Sequence, residues 1–83
     1  MNMNRTDALD MVRGSISTVI PDADVTVLGP DDAFRDVLEM DSLDFLSFVE
    51  VLSERSGVRI DDEDTTRLTT LAGSADFLVA RTQ

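Results

Sequence analysis

The chain has 83 residues, 42% of them hydrophobic, and 17 acidic against 7 basic side chains give it a formal net charge of −10. This is the size of one small domain, 1–83, near the lower limit for a single hydrophobic core, and too apolar to stay disordered. The charge argues against nucleic acid and anionic membrane surfaces as partners and for basic patches on other proteins, an attraction that salt weakens.

No apolar run approaches the ~20 residues of a membrane span. The opening Met1-Asn2-Met3-Asn4-Arg5 leads directly into a polar amphipathic segment with no apolar h-region. A secretory signal is therefore not expected, a cytoplasmic location is the default, and the initial Met favours a free-standing protein. With no cysteine there is no disulfide framework, thiol nucleophile or thiolate metal site.

Thr6 is the expected cap of a first helix, with Asp7 and Asp10 favoured by the helix dipole. Leu9, Val12, Ile16, Val19 and Ile20 recur at spacings of three and four and predict one buried stripe. Gly14 weakens this helix slightly, and Pro21 ends it because it lacks an N–H and disfavours helix in the residue before it.

Between Pro21 and Met40 no long periodic element is present. Pro21-Asp22-Ala23-Asp24 and Gly29-Pro30-Asp31-Asp32 are turn signals, and residues 31–37 predict a short helical turn. A connection this long has to be pinned by its own side chains, and Val25, Val27, Leu28, Phe34, Val37 and Leu38 are the candidates. Phe34 and Leu38, four apart, are expected under the loop as core anchors. Val25-Thr26-Val27-Leu28 has no second strand to pair with and is not read as a strand.

The next helix starts at Asp41 or Ser42 and stops at Gly57, with Arg55 a cation in its last turn. Winding it at about 100° per residue separates two apolar stripes. Phe45, Phe48, Val49 and Leu52 form an ordinary core stripe. Leu43 and Leu46 lie elsewhere, in line with Glu50 and Glu54, where a helix that only buried itself would be polar. Two leucines among carboxylates, beside a serine at the helix start, predict a face that a partner touches.

Val58-Arg59-Ile60 is a short extended link. Residues 61–68 predict a brief third helix, acidic at its start, with Leu68 turned inward. Thr69 or Thr70 caps a last helix whose core stripe is Leu71, Ala75 and Leu78, flanked by Phe77 and Val79. The expected fold is all-α: a small four-helix bundle of three longer helices and one short third helix, with a long loop between helices one and two.

Catalysis needs an acid, base, nucleophile or metal, and the sequence contains no His, Cys, Lys or Tyr. Its carboxylates fall at polar positions, with nothing to mark one as buried and raised in pKa for acid–base work. The clusters Asp22/Asp24/Asp31/Asp32 and 61–64 do not fit the EF-hand loop spacing. No catalytic residue and no metal site is assigned. Ser42 remains: Asp-Ser before an apolar run is by itself an ordinary helix cap, but a helix N-terminus also favours an attached phosphodiester.

Asp41-Ser42-Leu43-Asp44, preceded by Phe34-x-x-x-Leu38 and followed by the apolar helix, resembles the acyl carrier protein family. Members carry a 4′-phosphopantetheine arm on the serine of a Gly-x-Asp-Ser-Leu motif. Gly57-Val58-Arg59-Ile60-Asp61-Asp62-Glu63 is similar to the family's Gly-Val-x-Ile-Pro-Asp-Glu, and Leu68-Thr69-Thr70-Leu71 fits its step into the last helix. The similarity covers nearly the whole chain and is weakest over the first thirty residues.

The resemblance implies that Ser42 is the attachment residue and that a magnesium-dependent phosphopantetheinyl transferase loads it from coenzyme A. It also implies that the thiol of the arm holds acyl, aminoacyl or polyketide groups as thioesters. Asp41, Leu43, Asp44, Leu46, Glu50 and Glu54 map onto the face that docks loading and synthase enzymes through their basic patches. The carrier itself is non-catalytic, and a monomer is expected. Ser47, standing where carriers of fatty-acid synthesis often have an acid, points to a specialised pathway.

Three positions depart from the family pattern. Glu39 replaces the motif glycine, Asp61 stands where proline is common, and Ser56 falls where many members bury a phenylalanine, leaving Val58 or Phe45 to fill that space. The rival reading, from another class, is an acidic protein-interaction module or nucleic-acid mimic without a cofactor.

Overall fold

Asn4, rather than Thr6, starts the first helix: its side-chain oxygen accepts the Asp7 N–H at 2.7 Å, the usual N-cap geometry, which leaves Thr6 inside the first turn. The computed structural model describes residues 3–82. Met1 and Asn2, the head of the polar leader read above, lie outside the described residues, as does Gln83. Helix α1 spans Arg5–Val19, α2 Phe34–Val37, α3 Ser42–Ser56 and α4 Leu71–Arg81, with 3₁₀ turns at Val25–Val27 and Asp62–Arg67. The described residues form an all-helical bundle without a strand. The expected brief third helix is the 3₁₀ stretch, and the turn expected over 31–37 narrows to α2.

α1 packs against both α3 and α4. This explains why its buried line is Ala8, Val12, Ser15 and Ile16, with Leu9, Val19 and Ile20 only half-buried. The small residues Ala8 and Ser15 widen the stripe on the side where a neighbouring helix approaches, and an apolar-periodicity reading gives a serine no weight. Gly14 has a separate reason to be small. A Cβ there would stand 3.2 Å from the Arg55 guanidinium, which crosses from α3 to donate to Thr18 Oγ1 at 2.6 Å.

The long connection is shaped by a local turn in its first half and bonded to the start of α4 at its far end. Asp24 accepts the N–H and the hydroxyl of Thr26, and the side-chain bond, then the backbone bond, holds its carboxyl below the ordinary 3.8. That local contribution is present above the ordinary aspartate range and fades as pH falls through the lowered value. Leu28 is buried, whereas Val27 and Val37 are exposed and do not pin the loop as expected. Further on, the Pro30 carbonyl accepts the Ala72 N–H at 2.8 Å, and Phe34 N–H donates to the Thr69 carbonyl at 3.3 Å beside an isolated Ala33–Thr70 bridge. Phe34 is fully buried, edge-on to Phe48 with ring centroids 5.2 Å apart, while its expected partner Leu38 is half-buried.

Glu39 has φ +53°, in the left-handed region. Its N–H donates to the Asp36 carbonyl at 3.4 Å and the Met40 N–H to that of Arg35 at 2.8 Å. This is a Schellman ending of α2, with Glu39 at the position that favours glycine. The family's motif glycine and this φ are the same constraint. Glu39 meets it at a steric cost of about 1–2 kcal/mol, because its Cβ crowds the following carbonyl.

α3 begins at Asp41, whose Oδ1 accepts the Asp44 N–H at 2.8 Å, and ends at Gly57 with φ +71°, as expected. Phe48, Val49 and Leu52 are buried, and full burial of a side chain the size of Phe48 or Leu52 contributes roughly 1.5–3 kcal/mol. Phe45, the fourth member of that stripe, is only half-buried. At the Ser56 departure, Val58 takes the interior place: it is buried, its N–H donates to Ser56 Oγ at 3.1 Å and its carbonyl accepts from Ser53 Oγ at 2.7 Å.

The structure corrects one expectation about the carboxylates: Asp64 is buried. It accepts the Arg81 guanidinium at 2.9 Å and the Asp61 N–H at 3.0 Å, which ties the 3₁₀ turn to the end of α4. A proline at 61 has no N–H to give, so the Asp61 departure and this buried pair belong together. Thr70 caps α4 through Gly73 N–H at 2.9 Å, Leu71, Ala75 and Leu78 are buried as the stripe predicts, and Phe77, expected at its flank, and Ser74 join them.

Two predictions follow from the backbone and the core. The buried hydroxyls of Ser15 and Ser74 have no hydrogen-bond partner among the described residues. An unsatisfied buried hydroxyl costs about 1–3 kcal/mol, so Ser15→Ala and Ser74→Ala should each stabilise the fold by roughly 1 kcal/mol in urea unfolding. Destabilisation by both would show that these hydroxyls are satisfied. Glu39→Gly should raise Tm by roughly 4–8 °C, the shift expected for ~1 kcal/mol in a domain this small, and an unchanged or lower Tm would refute strain at this position.

Candidate functional site

Ser42 is the first residue of α3 and is exposed. Asp41 fixes it there: its side chain caps Asp44 N–H at 2.8 Å, and its carbonyl takes Phe45 N–H at 2.9 Å. The N–H groups of Ser42 and Leu43 thus stand at the positive end of the helix without intrahelical acceptors, beside the Ser42 hydroxyl. The chain approaches through the left-handed Glu39 and the buried Met40, so the turn before the serine is held rather than loose. A phosphodiester on Ser42 Oγ meets this environment without displacing any buried side chain.

Below Ser42 the predicted second stripe is present. Leu43 is 75% exposed and Leu46 55%, far more than the buried Phe48, Val49 and Leu52 on the opposite side of the helix. Glu50 and Glu54 are exposed in line with them, and Asp41 is exposed at the N-cap just before Ser42. Asp44 does not share it: it is half-buried, and by helical winding it lies about 100° round from Leu43, on the Phe48 side. The result is an apolar pair edged by carboxylates on one side of α3, with Asp44 at its margin.

Sequence reasoning missed what lies on the other side of the α3 start. An open recess of about 360 Å³ is lined there by Arg35 from α2, Met40 and Phe45 flanking Ser42, and Thr65, Thr66 and Thr69 from the 3₁₀ turn and the loop after it. The Arg35 guanidinium lies over the Phe45 ring, 4.5 Å from its centroid, which explains why Phe45 remains half-buried. One signal for it was in the sequence: Arg35 is the single basic residue between Arg13 and Arg55.

A family model described as a phosphopantetheine attachment site matches residues 10–78, a span that contains Ser42 and both walls of this region. An acyl carrier protein of Thermosynechococcus vestitus is 30% identical over 76 residues, covering 92% of this chain and 93% of its own. That of Streptomyces coelicolor is 33% identical over 70 residues, 84% of this chain and 76% of its own. That of Rubrobacter xylanophilus is 36% identical over 56 residues, 68% and 69% of the two chains. Matched over most of its length by both the family model and these relatives, the chain belongs to the acyl carrier protein family, whose prosthetic group is 4′-phosphopantetheine.

Proposed function

We propose that Ser42 carries the 4′-phosphopantetheine arm and that 1–83 acts as a single, monomeric, cytoplasmic carrier domain delivering thioester-bound acyl, aminoacyl or polyketide intermediates. The observation that carries this reading is the exposed Ser42 hydroxyl at the first residue of α3, inside the matched family segment. No helix of the described residues is long and apolar enough to cross a membrane.

Ser42 is a substrate here rather than a nucleophile activated by its own chain, since the sequence supplies no His, Lys, Cys or Tyr to act as a base. A separate magnesium-dependent phosphopantetheinyl transferase installs the arm. Ser42 Oγ forms a bond to the β-phosphorus of coenzyme A, and the phosphorus–oxygen bond to the nucleotide breaks. The electron pair leaves on 3′,5′-adenosine bisphosphate, and the hydroxyl proton passes to a base of the transferase. The installed arm contributes a terminal thiol, on which cargo is held as a thioester. The chain's own residues present the hydroxyl, offer helix N–H groups to the phosphodiester and dock the partner.

Docking uses Leu43 and Leu46 for short-range packing and Asp41, Glu50 and Glu54 for long-range attraction to basic surfaces, with Asp44 at the edge. Such charge steering raises the rate of encounter more than the strength of the complex. Modest affinity suits a carrier that must leave each enzyme before meeting the next.

Incubation with coenzyme A, magnesium and a broad-specificity transferase should add one phosphopantetheinyl group to the intact mass, and Ser42→Ala should abolish the gain while keeping the helical circular-dichroism spectrum. A folded wild-type chain that gains no mass would end the carrier reading. For docking, Leu46→Ala should lower the kcat/KM of transferase loading about tenfold, as a contact at the centre of an interface does, while moving folding stability by no more than ~0.5 kcal/mol. Glu50→Lys should slow loading at low salt and flatten its salt dependence. Parallel losses in stability and loading would instead make this strip part of the fold.

A further inference from the structure

We propose that the recess beside Ser42 reads the cargo, with Arg35 as a specificity residue that favours short acyl groups bearing a second carbonyl or carboxylate oxygen over saturated acyl chains. The inference rests on the carrier reading above and names the cargo class of that same site.

Three observations carry it. First, among the described residues Arg35 makes no ion pair; Arg13, Arg55 and Arg67 share that state, but Arg35 is the one of the four that lines the recess beside Ser42. In a chain of net charge −10, an unpaired guanidinium on the wall of this recess is a donor set that a ligand seated there can use. Second, its guanidinium carbon lies over the Phe45 ring, 4.5 Å from the centroid, a contact made by the charge that consumes none of its N–H donors.

Third, the threonine wall is also polar. Thr65, Thr66 and Thr69 donate their hydroxyl protons to the carbonyls of Asp62, Glu63 and Thr66 at 2.6, 3.3 and 3.0 Å. Their oxygens retain lone pairs and can only accept. A ligand seated there meets a cation on one wall, acceptors on another and apolar surface from Met40 and Phe45. A saturated chain leaves Arg35 without an acceptor and displaces its water without replacement, whereas the threonine oxygens keep their water with either cargo. An oxygen beyond the thioester carbonyl satisfies Arg35, and the acyl methylene rests on Met40 and Phe45. Asp36 also borders the recess, which sets a limit: the cation rather than the whole rim is the recognition element.

The test uses the holo protein loaded with malonyl or with 3-methylbutanoyl, its isostere without the distal carboxylate, with mass spectrometry reporting attachment before any spectrum is taken. The malonyl form should shift the ¹⁵N resonance of the Arg35 guanidinium and the amides of Thr65, Thr66 and Thr69 relative to unloaded holo protein, and the isostere should not. Hydrolysis of the malonyl thioester should be about threefold faster in Arg35→Gln than in the parent, the scale of a half-exposed charge contact, with partial recovery in Arg35→Lys and no change for the isostere. Identical spectra for the two cargoes would overturn the proposal. So would the same shifts in the unloaded holo form, which would assign the recess to the amides of the arm. Movement of Phe48 and Leu52 resonances by the isostere alone would mean that an alkyl chain enters the core instead. If Arg35→Gln fails to fold, the spectra of the two wild-type forms still decide. An absence of mass gain at the first step strikes the carrier reading, whereas attachment with no Arg35 response strikes only this one.

Discussion

The edge-to-face contact between Phe34 and Phe48 is the constraint on which the site depends. The connection from α1 to α3 is too long to be placed by its ends alone, and its one fully buried side chain inserts into the core against the middle of α3. That contact sets where α2 stops. The Schellman turn through Glu39 then carries the chain over Met40 to Asp41, whose cap starts α3 with Ser42 outermost. The backbone leading into α2 is stitched to the start of α4 and the two residues before it through Pro30, Ala33 and Phe34, so the position of the serine is a property of the bundle rather than of a mobile loop.

α3 illustrates how one helix meets two demands that compete for the same residues. Folding takes Phe48, Val49 and Leu52 into the interior and hands α3 to α1. The remaining arc is free of packing requirements, and it carries Leu43 and Leu46 between carboxylates rather than a uniformly polar surface. Exposing two leucines gains nothing for stability and adds little risk of self-association, because a chain with net charge −10 repels its own copies. This is the arrangement expected of a surface that meets partners briefly, whichever pathway supplies them.

The departures from the family pattern have different physical characters. Glu39 retains the left-handed backbone that a glycine adopts without strain, so the geometry survives while its energetic cost rises. Asp61 is coupled to a gain: its N–H supports the buried Asp64, which also receives Arg81. Ser56 gives up an aromatic, and Val58 occupies the interior with its backbone bound on both sides by serine hydroxyls. With all three in place Ser42 is exposed.

Much of this was legible from residue order. The bounds of α3, the Gly57 ending, the inward Leu68, the Thr70 cap and the two stripes all follow from local capping chemistry and helical periodicity, which act within four residues and need no tertiary partner. The candidate serine was legible for the same reason, since it sits at a cap. What local rules could not supply was anything set by residues distant in the chain. Burial of Ser15, Ser74 and Asp64 depends on which helices lie opposite them, and a sequence window scores all three as surface. The recess by Ser42 assembles Arg35, Phe45 and three threonines from separate segments. Local rules therefore settled α3 and α4, the two faces of α3 and the serine at its start, while of the stripe expected on α1 only Val12 and Ile16 are fully inside. Only tertiary packing decided which polar groups went inside and what stands beside that serine, because burial and cavities arise between elements and not within them.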